Sequence, residues 1–130
     1  MRLVAFLFAL AAWAQSFTPI AGTGVAGLSG DGGPATSAQI NNPYGLVTGP
    51  DSALYFGEIG NHRIRRLDLK TGIISTAVGD KDKINEPYEI RFDTAGNMFF
   101  ADMQDHVIRR VDAKTHAMTT VAGTGVAGFS

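Results

Sequence analysis

Cysteine is absent from this sequence. That excludes disulfides, thiol chemistry and cysteine-based zinc sites. An excess of charge of either sign is also missing, the formal net charge being −1 at pH 7. Nothing in that balance draws the chain toward nucleic acid or an anionic membrane. Charged residues are scarce at 18% while hydrophobic residues reach 45%, which argues against disorder and for a packed core. The 130 residues give room for one domain. What the chain has in quantity is glycine, 16 residues, which points to many turns.

The N-terminus reads differently from the rest. A short basic start at Met1-Arg2 precedes an unbroken apolar run from Leu3 to Ala12. Small residues follow at Ala12 and Ala14, flanking Trp13, where a signal peptidase would read them. This is the pattern of a secretory signal peptide over residues 1–14, with Gln15 as the new N-terminus. The run is well short of the roughly 20 residues a membrane span needs. A short buried core segment is the competing reading. The signal implies a secreted or periplasmic bacterial protein without a stable membrane anchor, and the lack of cysteine then means stabilisation by packing alone.

The stretch ALYFGEIGNHRIRRLD at residues 53–68 returns without a gap as NMFFADMQDHVIRRVD at residues 97–112, 44 positions on. His62 corresponds to His106, Arg65 to Arg109 and Asp68 to Asp112. A period in the forties signals a repeat architecture. Short apolar strands with turn residues between them surround each copy. In the first unit they are Tyr44–Thr48, Ala53–Glu58, Arg63–Leu69 and Ile73–Val78; in the second, Tyr88–Phe92, Met98–Asp102, Val107–Ala113 and Met118–Ala122. Each unit is therefore expected to be a four-stranded antiparallel meander. Runs such as Leu54-Tyr55-Phe56 and Met98-Phe99-Phe100 imply strands covered on both faces. Stacked four-stranded sheets satisfy that, and the β-propeller is the common form at this period. The expectation is an all-β chain of about two blades plus part of a third, too few to close a ring.

Between signal and first unit lies a Gly-rich segment, residues 15–42. A short strand is expected at Phe17–Ala21 and a helical turn at Ala35–Ile40 behind Pro34. Asn41-Asn42-Pro43 ends it. Gly22 lies 21 residues before Pro43, whereas Gly79 lies 8 before Pro87, so the first linker carries a 13-residue insertion. The units proper span 43–80 and 87–122, joined by 81–86. The last stretch, 121–130, matches 20–29 almost residue for residue but lacks the Gly-Asp-Gly-Gly that follows there. This reads as a chain stopping inside a linker, with further blades expected beyond it.

The segments PYGLV (43–47), ALYFGE (53–58) and GNHRIRRLD (60–68) together resemble an NHL repeat, and DHVIRRVD (105–112) is a second copy with Asp in place of Asn. The Ala-Gly-Thr-Gly…Ser-Gly-Asp-Gly-Gly-Pro-Ala linker is similar to those of long secreted bacterial arrays of this family. The resemblance runs from about Thr18 to the end. It implies a propeller of six blades or a similar number. It implies little about function, since such propellers serve both as binding platforms and as enzyme scaffolds.

Each candidate for chemistry has a structural competitor. Gly22–Gly27 and Gly123–Gly128 fit G-x-G-x-x-G, but no helix follows to hold a pyrophosphate, so no nucleotide cofactor is expected. His62 and His106 could ligate a metal, yet they recur once per unit and should lie a blade apart; hydrogen bonding within the turn is favoured. Glu58 and Asp102 precede that turn and suit calcium or an ion pair. Hairpin counting sets Glu58 opposite Arg63, and Phe56 and Phe100 opposite Arg65 and Arg109, an arrangement that suits guanidinium over a ring. Asp31 has no second acid nearby, which favours an Asx turn over a calcium loop. Together with Asp68 and Asp112, the histidines and arginines are assigned to structure. No metal is expected, and no Ser-His-Asp order or paired-carboxylate spacing stands out.

The surface left for function is the channel mouth, formed by the first strand of each unit and the loops that meet it. Asn41, Asn42, Tyr44, Asn85, Glu86, Tyr88, Glu89 and Arg91 fall there, and Tyr- and Asn-rich loops suit ligand contact. The reading favoured is a secreted, non-catalytic propeller module that binds a protein or a carbohydrate. The alternative is part of a propeller enzyme, a metal-dependent hydrolase or lyase of the lactonase kind, whose other ligands lie elsewhere. Glu89 is the one acid on a candidate inner strand. Positions where the two units differ, Gly45 against Glu89 and Val47 against Arg91, are where function is to be sought.

Overall fold

A computed structural model describes residues 15–129; the signal segment read at 1–14 lies outside the described residues. The first sheet contains β1 (Pro43–Thr48), β2 (Leu54–Glu58), β3 (Arg63–Leu67) and β4 (Ile74–Val78). The second contains β5 (Pro87–Phe92), β6 (Met98–Asp102), β7 (Val107–Val111) and β8 (Met118–Ala122). Each sheet is a simple antiparallel meander in sequence order. The fold is all-β, two four-stranded blades.

Local chemistry makes the turns. Asp68 and Asp112 each accept two backbone N–H groups, from Lys70 and Thr71 at 2.9 and 3.1 Å and from Lys114 and Thr115 at 2.9 and 3.0 Å. These bonds close the β3–β4 and β7–β8 connections as Asx turns. A single 3₁₀ turn, Ile59–Asn61, joins β2 to β3, and His62 ends it in the left-handed region at φ 54°. His106 adopts the same conformation at φ 52°. Both inner strands carry a bulge, between Tyr44 and Val47 and between Tyr88 and Arg91.

One face of the first sheet packs on the facing side of the second. Ile64 and Val78 share a buried cluster with Ile90, Met98 and Phe100, and Ile84 of the connecting segment joins it. Burying each such side chain is worth about 1.5–3 kcal/mol. The two backbones come very close at one point. A Cβ placed on Gly57 would stand 2.3 Å from the Pro87 carbonyl oxygen, so only glycine lets β5 lie against β2.

The other face of the first sheet is covered by the linker. Ala35, Ala38 and Ile40 pack on Phe56, Leu67 and Ile74. The helical turn expected behind Pro34 is a 3₁₀ turn at Ala35–Ser37. Residues 32–35 run beside β4, with Gly32 N–H donating to Ile74 O at 2.8 Å and Ile74 N–H to Gly33 O at 3.1 Å. An edge strand is thereby protected from unwanted pairing. The strand expected at Phe17–Ala21 does not form, and Phe17 is almost fully exposed. The linker itself lies along the outer edge at β4, so this segment finds no edge to pair with.

Two predictions follow from these contacts. Gly→Ala in an open strand stabilises by about 0.5–1 kcal/mol. Gly57→Ala should instead destabilise by about 1–3 kcal/mol, because the Pro87 backbone must move; urea melts read the sign. Backbone hydrogen bonds hold the Asp112 carboxyl well below its ordinary 3.8, those from Thr115 and Lys114 contributing most, and Asp68 is lowered likewise by Thr71 and Lys70. Depressed carboxyl groups contribute stability that is fully present above about pH 4 and is lost as pH falls toward their folded-state values. The urea midpoint of Asp112→Asn should therefore lie below that of the parent near neutrality, and the gap should shrink as pH falls toward 2.

Candidate functional site

The end of each blade at which β2 turns into β3, or β6 into β7, is organised around one buried carboxylate. Glu58 is fully buried at the end of β2. Its Oε1 accepts the Asn41 backbone N–H at 3.0 Å and Asn61 Nδ2 at 3.2 Å, and its Oε2 accepts Arg65 Nη1 at 3.1 Å. In the second blade Asp102 Oδ1 accepts the N–H groups of Asn85 and Glu86 at 2.9 and 3.1 Å, and Oδ2 accepts Arg109 Nε at 3.3 Å. Each carboxylate thus fixes the chain just before the first strand of its blade, β1 or β5.

The strand register sets Glu58 opposite Arg63 and Phe56 opposite Arg65. The ion pairs do not follow that register. Arg63 reaches out to Asp80 at 2.8 Å, and Arg65 turns along the strand to Glu58. The guanidinium–ring stacks expected at Phe56 and Phe100 are not found among the described residues, because Arg65 and Arg109 are taken up by carboxylates. A buried guanidinium gains more from a carboxylate than from a ring face.

Asp31 makes no Asx turn. Its Oδ2 accepts Thr76 Oγ1 at 2.6 Å and Thr76 N–H at 3.1 Å, and its Oδ1 pairs with Arg65 Nη2 at 2.9 Å. The linker insertion therefore supplies the second carboxylate of Arg65. The second blade has no such insertion, and there Asp105 pairs with Arg109 at 3.0 Å. Asp105 stands where Asn61 stands in the first blade. This explains the departure of the second copy from Asn to Asp: each blade arginine keeps two carboxylates, drawn from different sources.

The histidines do not bond within their own turn. The His62 ring donates through Nδ1 to the carbonyl oxygen of Asn85, on the segment leading into the second blade. For the His106 ring no partner is found among the described residues. Nor do the described residues contain any group of three or more His, Asp or Glu arranged to hold a metal.

The candidate channel-mouth residues lie along β1, β5 and the segments before them. Tyr44 and Tyr88 come together, ring centroids 4.4 Å apart and planes tilted by 53°. Glu89 and Arg91 form an exposed pair at 2.9 Å, and Arg91 Nη1 also donates to Ile90 O at 2.8 Å. Asn42 is exposed with φ 49°, and its carbonyl accepts Ile59 N–H at 3.1 Å. Asn41, Asn85 and Glu86 are half-buried and committed through their backbones to the carboxylates above. They position the loop; the two tyrosines and the Glu89–Arg91 pair form the outward-facing part.

Glu89 occupies the bulge of β5 at φ 46°. The equivalent residue of β1 is Gly45 at φ 62°, which adopts that conformation without penalty. A left-handed glutamate is a strained choice of about 1–3 kcal/mol, and such strain concentrates where a side chain is kept for function. The Gly45–Glu89 difference was visible in the sequence; its conformational meaning was not.

No protein-family profile matches the chain. Among curated proteins it is similar to human Teneurin-4, 43% identical over 53 residues, which is 41% of this chain and 2% of that one. Among solved structures it is similar to a streptogramin B lyase, with a TM-score of 0.53 and 21% identity over 65% of this chain and 27% of the other. It is also similar to a catalytically inactive virginiamycin B lyase from Staphylococcus aureus crystallised with quinupristin, with a TM-score of 0.49 and 25% identity over 60% and 26% of the chains. The described chain is a pair of β-propeller blades. It spans about a quarter of the solved relatives' length and a small part of Teneurin-4.

The two carboxylates should differ in weight. Glu58→Gln leaves a fully buried Arg65 short of one charge partner and should cost about 3–5 kcal/mol. Asp102→Asn should cost clearly less, since Arg109 is partly exposed and retains Asp105. Urea denaturation of both variants checks the order.

Proposed function

We propose that this chain is part of a secreted NHL-repeat propeller that acts as a binding module rather than a catalyst, and that its ligand, a protein segment or a carbohydrate, is met by the inner-strand surface. The observation that carries the reading is the pairing of Tyr44 and Tyr88 beside the exposed Glu89–Arg91 pair, with Glu89 held in a strained conformation. Paired aromatic rings offer rigid contact area at low entropic cost, and a neighbouring acid and guanidinium supply directional bonds to hydroxyl or amide groups. The rest of the recurring hairpin chemistry is spent on the fold: Glu58 pairs with Arg65, and Asp102 with Arg109.

Secretion rests on the signal-like start at 1–14, and the NHL assignment on the repeated hairpin and its linker. Neither reading calls for a cofactor. The test is a glycan array and an extracellular-peptide array probed with the labelled protein. Tyr88→Ala should lower binding by at least tenfold, as expected for an aromatic anchor worth 2 kcal/mol or more, with the circular-dichroism spectrum unchanged. Binding that is indifferent to Tyr44→Ala, Tyr88→Ala and Arg91→Ala would overturn the surface. A stoichiometric divalent ion bound by the purified protein would favour the enzyme reading instead.

A further inference from the structure

At the end of the strands opposite the tyrosine pair, the two blades leave between them a cleft of about 560 Å³. The β1–β2 turn, Tyr55, Arg66 and Val78 of the first blade form one wall, and Phe92, Met98 and the β7–β8 turn of the second form the other. The floor is the core shared by the blades: Val78 and Met98 are buried in it, and Tyr55, Phe92 and Val111 pack against it. The Tyr55 and Phe92 rings meet edge to face with centroids 5.0 Å apart. The volume falls within the range of about 300–1,000 Å³ typical of small-molecule sites. Every lining residue lies between positions 50 and 116, so the cleft belongs to this pair of blades whatever adjoins them.

The repeat does not account for what lines it. Four of its side chains are missing from the equivalent positions 44 residues away: Asp51 corresponds to Ala95, Tyr55 to Phe99, Phe92 to Thr48 and His116 to Gly72. Two come from each wall, and they gather in one place. His116 keeps the left-handed backbone of its glycine counterpart, φ 58° against 70°. That conformation is free for glycine and disfavoured for a residue with a Cβ. No hydrogen bond to the His116 ring is found among the described residues. On the facing wall Asp51 Oδ2 accepts Arg66 Nε at 2.7 Å and the Tyr55 hydroxyl at 3.2 Å.

These groups define the ligand. The carboxylates are occupied: Asp51 also accepts the Ala53 N–H at 3.2 Å, and Asp112 accepts two backbone N–H groups and Arg110 Nη2 at 2.9 Å. Donors, by contrast, are left over. Among the described residues only Nε of Arg66 makes a hydrogen bond, its Nη2 standing 3.6 Å from Asp68. Positive charge is not left over, because Asp51, Asp68 and Asp112 stand against Arg66 and Arg110. Free donors without surplus charge suit a neutral acceptor. A carboxylate would meet the flanking acids, and an amine would find those acids already bonded. We propose that this cleft binds a small, uncharged, largely apolar molecule through a carbonyl group. The carbonyl oxygen accepts from the Arg66 Nη groups and the His116 ring, and the apolar body lies against Phe92 and Met98. The site lies at the other end of the strands from Tyr44 and Tyr88 and is independent of the ligand proposed there.

Benzamide, benzoate and benzylamine share one ring and differ in charge, which makes them the probes. Binding is read on the full chain by NMR of the methionine methyl groups at about pH 8, where an ordinary histidine is neutral. Met98 lines the cleft, and Met103, exposed at the far end of the strands, is the control. Benzamide should shift the Met98 methyl to saturation and leave Met103 unmoved. Benzoate and benzylamine should bind at least about tenfold more weakly, since their charge sheds water without gaining a free partner. Two variants borrow residues that the other blade already accommodates. His116→Gly should melt no lower than the parent and weaken benzamide several-fold. Asp51→Ala leaves Arg66 with Asp68 alone and should move the preference toward benzoate by about tenfold, a charge-assisted pair replacing a neutral one. A Met98 methyl that responds to none of the probes overturns the proposal, as do equal shifts at Met98 and Met103 or equal affinity for all three probes. So does a preference for benzamide that survives both substitutions unchanged.

Discussion

A four-stranded sheet of five- and six-residue strands has two faces and cannot bury either by itself. In this protein the constraint is met by stacking: the β1–β4 sheet lends one face to β5–β8, and the inserted linker covers most of the other. Much else in the chain serves that arrangement. Gly57 is small because the Pro87 backbone must pass it, and His62 reaches across to Asn85 to hold the two blades in register. This is the one-dimensional logic of repeat proteins, in which each unit is stable only through its neighbours.

Within each blade the buried carboxylate performs a second task. Glu58 and Asp102 satisfy backbone N–H groups just before the inner strand, and each also neutralises an arginine on β3 or β7. Removing water from these groups is costly, and the cost is offset only because nearly every bond is made; Arg65 Nε is the one buried side-chain polar atom left without a partner among the described residues. The two blades balance their arginines differently, through Asp31 in one and Asp105 in the other. A loop insertion and a single side-chain change in the second hairpin are thus two solutions to one electrostatic requirement.

Glu58, Arg65, Asp102 and Arg109, the acid and arginine that recur in both blades, are accounted for by hydrogen bonds and ion pairs, whereas two inner-strand positions differ between the blades. Gly45 against Glu89 and Val47 against Arg91 place an ion pair on the second inner strand where the first has none. Glu89 keeps a left-handed backbone that its counterpart meets with glycine. The tyrosine pair, Tyr44 exposed and Tyr88 half-buried, sits beside it, at the boundary between the two blades and not within either one.

Much was legible in the sequence because it is local. The 44-residue repeat, the alternation of strands and turns, and the hairpin pairing of Phe56 with Arg65 and Phe100 with Arg109 all follow from period and turn chemistry. What could not be read was where long side chains go. Arg65 and Arg109 were expected over aromatic rings and instead reach carboxylates, one of them from a linker 34 positions away in the chain. His62 was expected to bond inside its turn and bonds to the next blade. A guanidinium or an imidazole can reach several partners of similar local distance, and the choice among them depends on which groups the packed sheets bury together. Sequence by itself determined the blade; the tertiary structure decided which polar groups are buried between blades, because desolvation is a property of the assembled stack and not of any one strand.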